Sequence, residues 1–189
     1  MHHDYKVEEV NRIIEWIKGG LRLLVTNDRD LLIPDIVDTE FALEGKRILD
    51  RKIHETTINH WFSVYLEQLV EDFGIIDYNI DLEYNRFGNN KKFVEIEISD
   101  EAKVVRPDIL VHKRLRLDEV KPHFLVIEAK KEALIKKDIK HVKGFMSDAS
   151  YKYKYGCLIS YYELDANIKV NLLTLEDGQY IDHEFQVEI

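Results

Sequence analysis

The sequence predicts an α/β protein with a central mixed β-sheet, and three observations predict it. A long amphipathic helical segment occupies about residues 52–73. Alternating and short apolar strand-like stretches follow it. A lysine-rich helical stretch then separates these from further strands. Helix, strands, helix, strand is the element order of an α/β layer architecture. The chain has 189 residues, without internal repeat, low-complexity tract or Pro/Gly/Ser-rich linker. A single compact unit is therefore expected, with residues 1–50 as an N-terminal helix and connecting segment packed on a core of residues 51–189.

Taken in order, Val7, Val10, Ile14 and Ile17 recur at helical spacing between Tyr5 and Lys18, and Gly19-Gly20 is expected to stop that helix. "LRLLV" then reads as a strand, and "TNDRD" with Pro34 reads as turns. From about Lys52, the residues Ile58, Trp61, Phe62, Tyr65, Leu66, Leu69, Val70 and Phe73 form one wide apolar stripe, with Gly74 as terminator. "YNIDLEYNRF" and "KKFVEIEI" alternate apolar and polar residues around the turn "GNN", the period of half-buried strands. "PDILVH" and "HFLVIEAK" are short and largely apolar, as strands covered on both faces should be. A helix is expected from about Glu132 to Ser147. Strands are expected at "YGCLISYY", "IKVNLLTL" and, beyond the Asp177-Gly178 turn, "YIDHEFQVEI".

Composition narrows the class of function. A hydrophobic fraction of 45% and a charged fraction of 33% are ordinary for a soluble globular protein. No apolar run approaches the ~20 residues of a membrane helix, and Met1-His2-His3-Asp4 opens without a signal-type apolar stretch, so cytoplasmic residence is expected. The single Cys157 lies in an apolar run and reads as a core residue. The net charge of −9 opposes a nucleic-acid partner. Its distribution does not: Ala102–Gly156 holds 14 Lys/Arg against 7 Asp/Glu, which leaves 13 against 29 elsewhere. A basic central third can present a positive face within an acidic protein.

An acid, any residue, then lysine recurs along the chain by chance, and context singles out Glu128-Ala129-Lys130. Period-two alternation puts Phe124, Val126, Glu128 and Lys130 on one face of their strand, with Leu125, Ile127 and Ala129 on the other. Two charges thus project from the end of a buried strand, which is costly without a partner or a metal. Asp108, after Pro107, opens another apolar strand, and nineteen residues intervene before Glu128. The polar "KRLRLDEVKP" between them suits a hairpin connection that would lay the two strands side by side. Glu55 lies at the N-terminal end of the apolar stripe, either to favour the helix dipole or as a third acid aimed at the same point. A surface ion pair at a strand end is the plain reading of Glu128 and Lys130. The chemical reading is a set of hard oxygen ligands for Mg²⁺, with Mn²⁺ as substitute, and a lysine that orients or helps to deprotonate the attacking water. Pro34-Asp35 with Glu44-Gly45-Lys46 mimics the pattern, but no apolar strand leads into Glu44.

"RPDILVH" followed by "FLVIEAKK" resembles the PD-(D/E)XK, restriction-endonuclease-like nuclease superfamily, and in particular small bacterial restriction-like proteins. "HETTINHWFSVYLEQL" is similar to the first helix of that superfamily, "DLEYNR" to its first core strand, and "DIKHVKGF" with "YKYGCLISY" to the helix and strand after its catalytic lysine. The resemblance spans about Lys52–Tyr162. It implies a core sheet of about four strands flanked by helices, and a divalent-metal nuclease centre. Carried over, Asp108 and Glu128 would ligate the metal, the Ala129 carbonyl would be a further ligand, Lys130 would be the catalytic lysine and Glu55 the helical acid. His60 matches a histidine common in similar proteins, although helical geometry places it on the polar side of its helix, so a supporting role is expected at most. Arg106, Lys131 and Lys143 are the expected phosphate contacts, and "YKYKYG" interleaves aromatic and basic residues, a pattern that suits base stacking with phosphate contact and equally core and rim tyrosines at a strand entry.

The function expected is hydrolysis of phosphodiester bonds in DNA, in a restriction-like, phage-defence or DNA-processing role, with RNA the alternative polymer. Cleavage of both strands would favour a homodimer. Two rivals stand beside it: a non-catalytic binding or regulatory subunit of a larger protein complex, and a metal-dependent phosphoesterase acting on a small nucleotide.

Overall fold

The computed structural model describes residues 7–32, 54–84, 106–114, 123–161 and 167–189, with the backbone of four two-residue strands between 86 and 104. The Pro34/Glu44 mimic, the end of "KKFVEIEI" and the connection 115–122 lie outside the described residues.

Helix α1 (Val7–Asn27) runs through Gly19-Gly20, so neither the expected stop there nor a strand at "LRLLV" is found. Glycine inside a helix costs about 1 kcal/mol against alanine, and tertiary packing explains its use here. A Cβ on Gly20 would lie 2.9 Å from Leu66 Cδ2 and 3.1 Å from the Phe62 ring. The two glycines thus let α1 approach α3 (Glu55–Gln68), and the Trp16 indole N–H donates to the Leu66 carbonyl at 3.0 Å across that contact. One face of α1, from Val10 through Ile13, Trp16, Ile17 and Leu21 to Leu24, is buried. A short α2 (Arg29–Leu32) follows. In α3 the stripe buries Ile58, Phe62, Tyr65 and Leu66, whereas Trp61 stays 39% exposed. Beyond Gln68 the chain leaves the helix in turns and reaches Gly74 at φ +67°, a conformation that glycine adopts without strain.

The strands are β1 (Asn79–Leu82), β2 (Arg86–Phe87), β3 (Asn90–Lys91), β4 (Phe93–Val94), β5 (Lys103–Val104), β6 (Ile109–His112) and β7 (His123–Lys130). After α4 (Lys136–Ser147) come β8 (Tyr155–Ser160), β9 (Asn167–Glu176) and β10 (Gln179–Glu188). The main sheet is mixed, in the order β1-β6-β7-β8-β9-β10, and β2-β3 and β4-β5 form small separate pairs. Within the main sheet, β7 and β8 are parallel across the α4 crossover, and every other neighbouring pair is antiparallel. The expected count of about four strands is corrected to six. The long C-terminal hairpin β9-β10, turning at Asp177 (φ +50°) and Gly178 (φ +78°), adds to the β8 edge instead of standing apart.

Alternation along the strands separates two apolar layers. Ile109, Val111, Leu125, Ile127, Ala129, Cys157 and Ile159 pack with α1 and α3, while Leu110, Val126, Leu158 and Leu173 pack with Val142, Phe145 and Met146 of α4. Fully burying such side chains stabilises by about 1.5–3 kcal/mol each. Phe124 departs from the expected face. His112 pairs with His123 but Val111 pairs with Leu125, so Phe124 is the extra residue of a bulge and turns into the α1/α3 layer. Burial raises the Cys157 thiol pKa, as befits a core residue rather than a nucleophile. Among the described residues, no helix is long and apolar enough to cross a membrane.

Candidate functional site

Asp108 immediately precedes β6, and its position is fixed from two sides. Its carbonyl accepts the Glu83 N–H at 3.0 Å beyond the end of β1, and its carboxylate Oδ2 accepts the Ala129 N–H of β7 at 2.9 Å. The β6-β7 register, with Ile109 opposite Ile127, therefore sets Asp108 beside the Glu128-Ala129-Lys130 end of the neighbouring strand. Glu128 points to the α4 side and is 6% exposed. Lys130 ends β7, and its carbonyl accepts the Tyr161 N–H at 2.9 Å.

Glu55 is the first residue of α3, and it serves both purposes open to it. It stands at the positive end of the helix, and its side chain also reaches the end of β7. Glu55 Oε1 lies 3.1 Å from Lys130 Nζ, and Oε2 accepts the Lys131 N–H at 3.1 Å. Lys130 Nζ is also 3.1 Å from Glu128 Oε1 and 3.3 Å from Asp108 Oδ2. Three carboxylates from three distant parts of the chain thus surround one ammonium. Behind them the buried Tyr161 hydroxyl donates to Asn59 Oδ1 at 2.9 Å, tying the first turns of α3 to the end of β8.

With all four groups ionised, three negative charges face one positive, and the titration behaviour reflects it. Burial, then the Asp108 charge, pushes the Glu128 carboxyl up to about 7. Burial also raises Asp108, against the opposing pull of the Ala129 N–H and Lys130. For Lys130, burial favours the neutral amine, but Asp108, Glu128 and Glu55 together prevail and hold the ammonium above its ordinary value. The lysine is firmly protonated here, and the acids carry a shared excess of negative charge.

The structure thus brings Asp108, Glu128, Lys130 and Glu55 together. It does not bring His60 to them. That residue is exposed on α3, its ring edge-on to Trp61 at 5.5 Å. Arg106 is exposed two residues before Asp108. Lys131 contributes its backbone N–H to Glu55. The Lys143 ammonium lies 4.6 Å from the centre of the Tyr180 ring, while its carbonyl accepts the Tyr180 hydroxyl at 2.9 Å.

Sequence reasoning passed over two residues. Asp138 and His141 of α4 each offer a ligating atom, and with one from Glu128 these lie within 4.8 Å of one another. The available signal was an acid and a histidine three apart on one helix, hidden among lysines. A groove of about 530 Å³ runs nearby over the sheet, lined by Leu134, Leu158, Ser160, Lys169, Asn171 and Glu184 among others. Leu158 is the register partner of Glu128.

Compared with known proteins, the chain matches no family model and no curated protein.

Proposed function

We propose that the chain is a divalent-metal-dependent nuclease of the restriction-endonuclease-like, PD-(D/E)XK kind that hydrolyses phosphodiester bonds in DNA. The observation that carries this reading is the convergence of Asp108, Glu128 and Glu55 on the Lys130 ammonium, all within 3.3 Å. A surface ion pair needs one acid, whereas here three carboxylates face a single positive charge. Three, two of them with raised pKa values, leave an excess of oxygen donors that suits a hard dication.

Asp108 and Glu128 would hold Mg²⁺ or Mn²⁺, with the Ala129 carbonyl and Glu55 as further oxygen donors. When bound, such an ion polarises a phosphodiester oxygen and lowers the pKa of a coordinated water. The chain's own groups then have defined work. Lys130, beside all three acids, would orient the attacking water or donate to the developing oxyanion. Glu55 fixes both Lys130 and the turn that starts at Lys131. Glu128, whose carboxyl is pushed up to about 7 here, would hold the ion in its ionised form. Arg106, Lys131 and Lys143 are the candidate phosphate contacts.

The test is cleavage of linear, circular and single-stranded DNA with Mg²⁺ or Mn²⁺, comparing wild type with Asp108→Ala and Lys130→Ala. Cleavage by wild type, lost in both folded variants, is the expected result. No cleavage of any substrate with either metal would overturn the reading. The rival reading, a binding or regulatory subunit in a larger complex, is favoured by one feature: the Lys130 ammonium already occupies the point where the acids converge. It predicts nucleic-acid or protein binding without cleavage.

A further inference from the structure

We infer that Glu128, Asp138 and His141 form a second cation site, which takes first-row transition dications such as Mn²⁺, Co²⁺ or Zn²⁺ in preference to Mg²⁺. The donors come from two elements whose docking is tight. A Cβ on Gly156 would meet Val142 Cγ1 at 2.5 Å and Met146 Sδ at 2.6 Å, so only glycine in β8 lets α4 lie this close to the sheet. That approach lays the first turns of α4 over the end of β7. Asp138 is 7% exposed and Glu128 is 6% exposed, two buried carboxylates with ligating atoms within 4.8 Å of each other.

Asp138 and His141 keep atoms open to a ligand, while Glu128 Oε1 lies 3.1 Å from Lys130 Nζ. Asp138 uses Oδ2 to accept the Ile135 N–H at 2.9 Å. Among the described residues, no hydrogen bond occupies its other oxygen or either nitrogen of His141. A cation at about 2.1 Å from each ligand needs donor atoms roughly 3 to 4 Å apart. The present spread, within 4.8 Å, lies about 1 Å beyond the upper end of that range. An imidazole in the set selects against Mg²⁺, which prefers an all-oxygen shell. Glu128 belongs to both donor sets, so its carboxylate would be shared between the two cations. The inference shares Glu128 with the proposed nuclease centre but stands without any cleavage.

The test is a calorimetric titration of the full chain with Mn²⁺ and with Mg²⁺, alongside the visible absorption of the Co²⁺-loaded protein. It compares wild type with His141→Ala, Asp138→Asn and Asp108→Asn. Asp138→Asn keeps an acceptor for the Ile135 N–H and so preserves the helix start. We expect His141→Ala and Asp138→Asn to lower Mn²⁺ affinity at least about tenfold and to change the Co²⁺ spectrum, with a smaller effect on Mg²⁺. Asp108→Asn should leave the His141-dependent Co²⁺ signature in place. Unchanged Mn²⁺ affinity and Co²⁺ spectrum in both α4 variants would overturn the inference, as would the absence of Mn²⁺ and Co²⁺ binding by wild type. A His141-dependent signature in a protein that cuts no DNA would sustain this site while removing the nuclease reading. Metal binding lost in Asp108→Asn alone would do the reverse.

Discussion

Lys130 Nζ lies 3.1 Å from Glu55 Oε1, joining the end of a central strand to the first turn of a helix 75 positions earlier in the chain. Glu128 and Asp108 complete the ring of acids, so removing the lysine leaves three carboxylates facing each other. Lys130→Ala should therefore lose about 1–3 kcal/mol of stability at pH 7.5 and less at pH 5, where the acids take up protons. It should also bind Mg²⁺ or Mn²⁺ more tightly than wild type, because the ammonium no longer competes for the same oxygens. Urea unfolding at both pH values and calorimetric metal titration check this, and weaker metal binding in the variant would contradict it.

Stability should fall as pH rises toward neutrality at this site. The folded Glu128 carboxyl titrates near 7, whereas the unfolded one titrates near its ordinary 4.5. Between those values the native state holds a proton that the unfolded chain has released. The contribution is thus complete below about 4.5 and lost as pH rises through about 7, amounting to at most about 3 kcal/mol. Asp108, also raised, acts in the same direction. Glu128→Gln should show a flatter dependence of urea midpoint on pH between 5 and 7.5 than wild type. Parallel curves would show that Glu128 ionises normally.

Tyr161→Phe should cost about 1–3 kcal/mol, because Asn59 Oδ1 is then buried without its donor. Asn59→Leu combined with Tyr161→Phe should be less than additive in a double-mutant cycle. The single variant should also slow cleavage, since this bond seats the helix that carries Glu55. A change in stability with no change in rate would confine the bond to a packing role.

Gly156→Ala should destabilise by about 1–3 kcal/mol through overpacking. The added methyl meets Val142 and Met146, buried side chains of α4 with little room to retreat. Thermal unfolding measures the cost, and a neutral variant would mean that α4 yields readily.

Much of this architecture was legible in the chain because burial writes itself into local patterns. The α3 stripe, the apolar runs of β6, β7 and β8, and the Asp177-Gly178 turn all state their conformation within a few residues. Asp108 and Glu128 stood out for the same reason, as charges at the ends of buried strands. What depends on a distant partner was less visible. Gly19-Gly20 reads as a helix stop until Leu66 and Phe62 are known to press against it. Phe124 changes face because of a bulge that belongs to a pair of strands, and Asp138 with His141 acquires meaning only when α4 is docked over Glu128. The strands β9 and β10 were recognisable one by one, but the edge they would join was not, and the sheet was expected two strands too narrow.

The central claim is that Asp108 and Lys130 act in one hydrolytic centre. Its most direct test is the Mg²⁺-dependent rate of cutting closed circular DNA by wild type, Asp108→Asn, Lys130→Ala and the double variant. The wild-type rate should be at least about 10³-fold above that of each single variant, with the double variant no slower than either, as for residues that work as a unit. A wild type that leaves the circle intact, or single variants that cut at the wild-type rate, would contradict it.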